Sequence, residues 1–180
     1  MNDLPANNPS DSYLPSAKAH LVFWPILIVG VTTDLWSKSA VHRWLATLPD
    51  SEYVFVEGLL KFVIRLNPGA AWSIFENQTV ALLCISIVAL AIVLGIFLFG
   101  RTRQMIMAFA LGLFAAGITG NLYDRAFNEG LVRDFIDVFI PIIDYPWPAF
   151  NIADSMLCIA IGLLIISTFT SARKTAHPKK

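Results

Sequence analysis

Charge is what this chain has least of. Of its 180 residues only 14% are Asp, Glu, Lys or Arg, and 56% are hydrophobic. A soluble domain usually carries about 25% charged residues and about 45–50% apolar ones. The surplus apolar surface must face something other than water, and lipid is the natural neighbour. An excess of one sign is also missing, since 13 Lys plus Arg balance 13 Asp plus Glu. That balance removes any argument for nucleic-acid binding. Cysteine is scarce: Cys84 and Cys158 both lie in apolar runs, and read as small apolar fillers rather than a redox or metal site. The three histidines, His20, His42 and His177, are scattered and make no ligand cluster. No metal and no cofactor is expected.

What the chain does have is long apolar runs. A spanning helix needs about 20 mostly apolar residues. Four stretches qualify, at about 21–41, 79–99, 105–123 and 151–171. The first follows a polar tail, its apolar run is long, and no small-residue cleavage site follows it, so it reads as a retained span rather than a signal peptide. The pattern predicts one integral membrane domain over 19–172, with a polar tail at 1–18 and a basic tail at 173–180. Lys and Arg gather on the cytoplasmic side of membranes. Arg101 and Arg103 sit between spans two and three, and Arg173, Lys174, Lys179 and Lys180 in the last tail, with no acid beside them. Most acids, including Asp50, Glu52, Glu57, Asp134 and Asp137, fall in the alternate segments. Both termini are therefore expected in the cytoplasm.

The first outer segment, about 42–78, is too long for a simple turn. Tyr53–Glu57 and Leu60–Leu66 read as strands joined by a turn at Glu57-Gly58, and Asn67-Pro68-Gly69 ends the second. In that strand Leu60, Phe62, Ile64 and Leu66 alternate with Lys61, Val63 and Arg65, the period of a half-buried strand. A lone hairpin is marginal in water, so this small sheet should lean on the helices or on the outer membrane surface. Trp44, Trp72 and Trp147 fit an interfacial aromatic belt. The fold expected is a membrane four-helix bundle with a small outer sheet.

The scarce polar residues stand where a bilayer tolerates them least. A charge at mid-membrane costs roughly 2.5–3.5 kcal/mol on insertion scales, so such residues are paired, interfacial or functional. Asp34 and Lys38 lie four apart in span one and face each other on a helix. An ion pair that neutralises both, or a supporting role in a site, each fit. In span three Gly112, Ala116 and Gly120 form a small-residue stripe suited to close helix packing. Asn121 and Arg125 continue one turn on; span packing requires neither, although Arg125 could snorkel to the interface. Asp134 follows in a loop, flanked by apolar residues, while Asp137 and Asp144 read as solvated. Pro146 and Pro148 stop any earlier helix, so span four starts here, where Asn151 or an adjacent residue can cap it, with Asp154 in its first turn favoured by the helix dipole. Asn151, Asp154, Ser155 and Cys158 share one face.

Two acids brought together in a partly dry site cannot both ionise easily. One can then activate a water while the other, protonated, polarises a peptide carbonyl. Asp134 and Asp154 could form such a pair, and it would titrate as a unit. Intramembrane acids also serve proton-coupled transport, but no repeated halves are visible. A structural subunit docking through the span-three stripe is a third possibility.

Five blocks taken together resemble the bacterial lipoprotein signal peptidases (signal peptidase II). They are Asp34-Leu35-Trp36-Ser37-Lys38, Asn67-Pro68-Gly69-Ala70-Ala71-Trp72-Ser73, Gly120-Asn121-Leu122-Tyr123-Asp124-Arg125, Val132-Arg133-Asp134-Phe135 and Phe150-Asn151-Ile152-Ala153-Asp154-Ser155. The resemblance implies a four-span aspartic endopeptidase of the inner membrane. It implies lipid-modified prolipoproteins as substrates, cut just before the diacylglyceryl-cysteine, and inhibition by globomycin-like peptides. Asp134 and Asp154 would be the catalytic dyad. Asn121, Arg125 and Asn151 would orient substrate or acids, and Asp34, Lys38, Asn67 and Gly69 would support the site. The outer sheet would be a cradle on the membrane surface, near a site at the periplasmic face. Two positions depart from the family's habit: Ala116, where a second glycine is usual, and Trp72.

Overall fold

The computed structural model describes residues 14–69, 75, 78–100 and 104–176, with backbone alone for 168–176. Trp72, Arg101 and Arg103, with residues 1–13 and 177–180 of the two tails, lie outside the described residues. Four helices, α1 (Ala17–Leu45), α2 (Thr79–Phe99), α3 (Met105–Phe127) and α4 (Ile152–Ala176), form the bundle. Among the described residues, α1, α2 and α3 are long and apolar enough to cross a membrane, and α4 has a shorter apolar stretch, Ile152–Ser167. Helix α1 starts from Ser16, whose hydroxyl accepts from Ala19 N at 3.2 Å. It runs four residues past the expected span end, and α3 likewise continues to Phe127. Arg125 is therefore a helical residue in the last turn of α3, one turn beyond Asn121 as their spacing leads one to expect.

Helix α3 is the centre of the bundle, and its small residues explain why. A Cβ added at Gly112 would meet the Phe23 carbonyl and Ile26 of α1, and one added at Gly117 would lie 2.6 Å from the Ala153 carbonyl of α4. At Gly120 the two neighbours converge, with Asp34 on one side and Ala153 on the other. The stripe read from the sequence is thus a packing seam on which α1 and α4 close. Further from the sheet, Phe23 and Phe97 stack with ring centroids 3.9 Å apart in a core that includes Ala19, Val93, Ala108 and Leu111. Cys84 and Cys158 do not fill this core. Both are exposed, and Cys158 lines the cavity between α4 and the sheet.

The sheet has four antiparallel strands in the order β1 (Glu52–Val56), β2 (Leu60–Asn67), β3 (Val132–Ile140), β4 (Tyr145–Phe150). The expected hairpin is β1–β2, turning at Gly58 with φ 66°. The expected loop around Asp134 is instead strand β3, paired with β2 so that Arg65 faces Asp134. A single 3-10 turn, Pro141–Ile143, leads into β4, whose Pro146 and Pro148 suit an edge strand. The expected buried face of β2 is also corrected. Val63 is the buried residue and Leu66 is 50% exposed, because the pairing with β3 shifts register between Phe62 and Arg65. Such an irregularity reverses which side chains face inward beyond it. Trp44 at the end of α1 packs on Tyr53 and Phe62, and Phe62 on Phe135, so the sheet rests on the helix ends.

Candidate active site

The nine residues singled out from the sequence converge at the junction of the sheet with α1, α3 and α4. Asn151 precedes α4, and its side chain accepts from Asp154 N at 3.1 Å while Asp154 Oδ2 accepts from Asn151 N at 3.1 Å. This reciprocal pair is a capping box. It fixes Asp154 against its own helix start, so the capping role foreseen for Asn151 and the placement of Asp154 are one arrangement. The other oxygen of Asp154, Oδ1, accepts from Asn121 Nδ2 of α3 at 2.8 Å.

Asp134 reaches the same place from β3. It is 2% exposed. Its Oδ1 accepts from Asn151 Nδ2 at 2.6 Å and its Oδ2 from Asn67 Nδ2 at 3.0 Å. Asn67 is held in turn because its Oδ1 accepts from Gly69 N at 2.9 Å, a local turn that Asn-Pro-Gly favours. Gly69 returns its carbonyl to Arg125 Nη2 at 2.9 Å. Behind β3, His42 Nε2 lies 3.3 Å from the Asp134 carbonyl. Asn151 Nδ2 also donates to Asn121 Oδ1 at 3.2 Å, so two amides bridge the two carboxyl groups. Burial pushes the Asp134 carboxyl up to about 7, and the neighbouring Asp154 charge adds to this; the Asn67 and Asn151 hydrogen bonds pull the other way.

Asp134, Asp154, Asn67, Gly69, Asn121 and Arg125 all line one cavity of about 830 Å³. Its remaining walls are largely apolar, from Leu66, Val132, Trp147, Phe150, Leu157 and Ile159. That is the character of a site for an apolar ligand held by a few placed polar groups. Arg125 Nε is buried with no hydrogen-bond partner among the described residues.

Asp34 and Lys38 do not reach the cavity. Both are fully buried behind it, with Lys38 Nζ 2.7 Å from Asp34 Oδ2, 2.9 Å from Asn121 Oδ1 and 3.3 Å from Asp124 Oδ2. Asp34 Oδ1 accepts from Ala153 N at 2.8 Å, a second clasp on the start of α4. Two members of this network were not singled out from the sequence. Asp124 is fully buried, and Arg133 meets it through its backbone N–H and its guanidinium, at 3.0 and 2.5 Å. Spacing held the clue, since Asp124 follows Asn121 by three and shares its helix face. Among the described residues no group of His, Cys, Asp and Glu could hold a metal ion.

A family model described as signal peptidase (SPase) II matches residues 26–170. A lipoprotein signal peptidase of Rhodopirellula baltica is 34% identical over 178 residues, covering 92% of this chain and 79% of that protein. A lipoprotein signal peptidase of Sulfurihydrogenibium sp. is 36% identical over 154 residues, covering 82% and 91%. A bacterial membrane enzyme solved by the in meso method at 2.3 Å superposes with a TM-score of 0.76 at 28% identity, over 91% of this chain and 93% of the other. A second, at 1.9 Å, gives 0.68 at 30% identity, over 84% and 92%.

Proposed function

We propose, since this chain belongs to the signal peptidase II family of membrane proteases that remove signal peptides from prolipoproteins, that it does so as an aspartic endopeptidase with Asp134 and Asp154 as its dyad. The observation that carries this reading is that the two carboxyl groups line one apolar cavity and are bridged by Asn121 and Asn151. The ionised acid takes a proton from a water whose oxygen attacks the scissile carbonyl carbon. The protonated acid donates to the carbonyl oxygen as charge develops there. As the tetrahedral intermediate collapses, the C–N bond breaks, the leaving nitrogen receives the proton taken from water, and the re-forming carbonyl returns its proton to the second acid.

Arg125, which lines the cavity, would hold a substrate carbonyl beside the acids. The apolar walls suit a diacylglyceryl chain next to the cysteine at which the cut is made. The protein sits in the bacterial inner membrane with both termini cytoplasmic and the sheet on the periplasmic side. The peptidase domain is taken as 19–172, and globomycin-like peptides would occupy the same cavity. The test is cleavage in detergent of a lipid-modified precursor and its unlipidated form. Asp134→Asn and Asp154→Asn should each abolish cleavage while leaving a folded membrane protein. Full turnover by either variant removes the dyad from this reading.

A further inference from the structure

The two carboxyl groups accept the same number of side-chain and backbone hydrogen bonds, two each. Their surroundings nevertheless differ in kind. Asp154 stands in the first turn of α4, where the helix dipole favours a negative charge. Its amide donor, Asn121, cannot turn over. Lys38 carries only donors, so it must face Asn121 Oδ1, at 2.9 Å. Asn151 Nδ2 demands the same end of that amide. The Asn121 NH₂ group is therefore locked toward Asp154 Oδ1 and backed by a buried cation. Asp134 stands on a strand, and both of its amide donors are oriented by neutral backbone N–H groups, Asn67 by that of Gly69 and Asn151 by that of Asp154; the Lys38 charge reaches it without a hydrogen-bonded relay and is the smallest of the influences on it.

We propose that Lys38, acting through Asn121, is a positioning residue that holds the negative charge on Asp154 and leaves the shared proton on Asp134. This deepens the aspartic reading given above and rests on it for its catalytic meaning. It assigns the roles as well: Asp154 takes the proton from water, and Asp134 polarises the carbonyl. Burial of Asp134, which pushes its carboxyl up, agrees with the assignment. The other charged groups around the pair are Arg125 from α3 and Arg65 from β2, which line the cavity. Asp34 and Asp124 stand behind, both paired with Lys38, and Asp124 also with Arg133. His42 touches only the backbone of Asp134.

The test reads the protonation state directly, by the infrared carbonyl stretch of protonated carboxyl groups in the purified full chain near pH 6. A band lost in Asp134→Asn but kept in Asp154→Asn is expected. In Lys38→Met a second band, removed by adding Asp154→Asn, should appear at the same pH. If Lys38→Met does not fold, Lys38→Met with Asp34→Asn takes its place, because that pair leaves neither partner as a lone buried charge and Asp124 keeps Arg133. A band that vanishes in Asp154→Asn instead, or that Lys38 substitution leaves unchanged, overturns the proposal. These outcomes do not depend on turnover. In the cleavage assay the acidic limb of kcat/KM should move up by about one pH unit or more, with KM within about twofold. A profile fixed in position, losing height only in proportion to folded protein, assigns Lys38 a structural role alone. Failure of the unaltered chain to cleave any precursor counts against the aspartic reading and not against this charge assignment.

Discussion

Asp134 keeps its proton to about 7 in the folded protein, whereas the unfolded chain releases it near 3.8. The folded state therefore binds that proton more tightly. The resulting stabilisation is complete below about pH 4 and is lost as pH rises through 7. Asp134→Asn, which has no proton to lose, should outlast the parent in thermal unfolding in detergent at pH 8, by up to a few kcal/mol, and show no such gain at pH 4. A second residue tunes the same group. The Asn67 hydrogen bond favours the ionised form. Asn67→Ala should move the alkaline limb of the cleavage profile upward by roughly one pH unit, about the worth of a hydrogen bond to a charged group; an unmoved limb would show that Asn67 does not act on Asp134. None of this was legible as geometry in the sequence. The residue types were, because an Asn, an Arg or an Asp beside an apolar run stands out. Which oxygen meets which amide depends on rotamers that spacing does not set.

At the scale of elements, the helices were readable and half of the sheet was not. Twenty apolar residues have one interpretation in a chain this poor in charge, so α2 begins and ends where expected. Strand β3 was missed because Val-Arg-Asp-Phe-Ile-Asp mixes charge with apolar residues, and β4 because its two prolines look like a loop. Both are strands through pairing with β2 and each other, a tertiary cause. The seam on α3 yields a comparison. Gly117→Ala would press a methyl against the Ala153 carbonyl, while Gly95→Ala on α2 meets open space. The first should lower thermal stability by about 1–3 kcal/mol and the second should not destabilise; the pair can be read from unfolding in the same detergent. Asn151→Ala should cost about 1 kcal/mol as a lost helix cap, and it should also abolish cleavage, since the same side chain bridges the two acids.

The molecule as a whole places its acids at the end of the bundle that carries the sheet, and the proposed orientation, read from the Lys and Arg pattern, turns that end to the periplasm. A cysteine introduced at Glu57, in the β1–β2 turn, in a background lacking Cys84 and Cys158, should react with a membrane-impermeant thiol reagent on intact spheroplasts. One introduced at Lys180 should react only after lysis; the reverse pattern would invert the orientation. The capping box has one further consequence for any compound aimed at the cavity. The bonds that seat Asp154 are the bonds that begin α4, so a bacterium that trades away drug contacts at Asp154 gives up both its proposed catalytic acid and about 1 kcal/mol of helix capping. Resistance would have to arise along the greasy walls instead, at positions such as Leu157 or Ile159, and inhibitors that lean least on those walls should hold their potency longest.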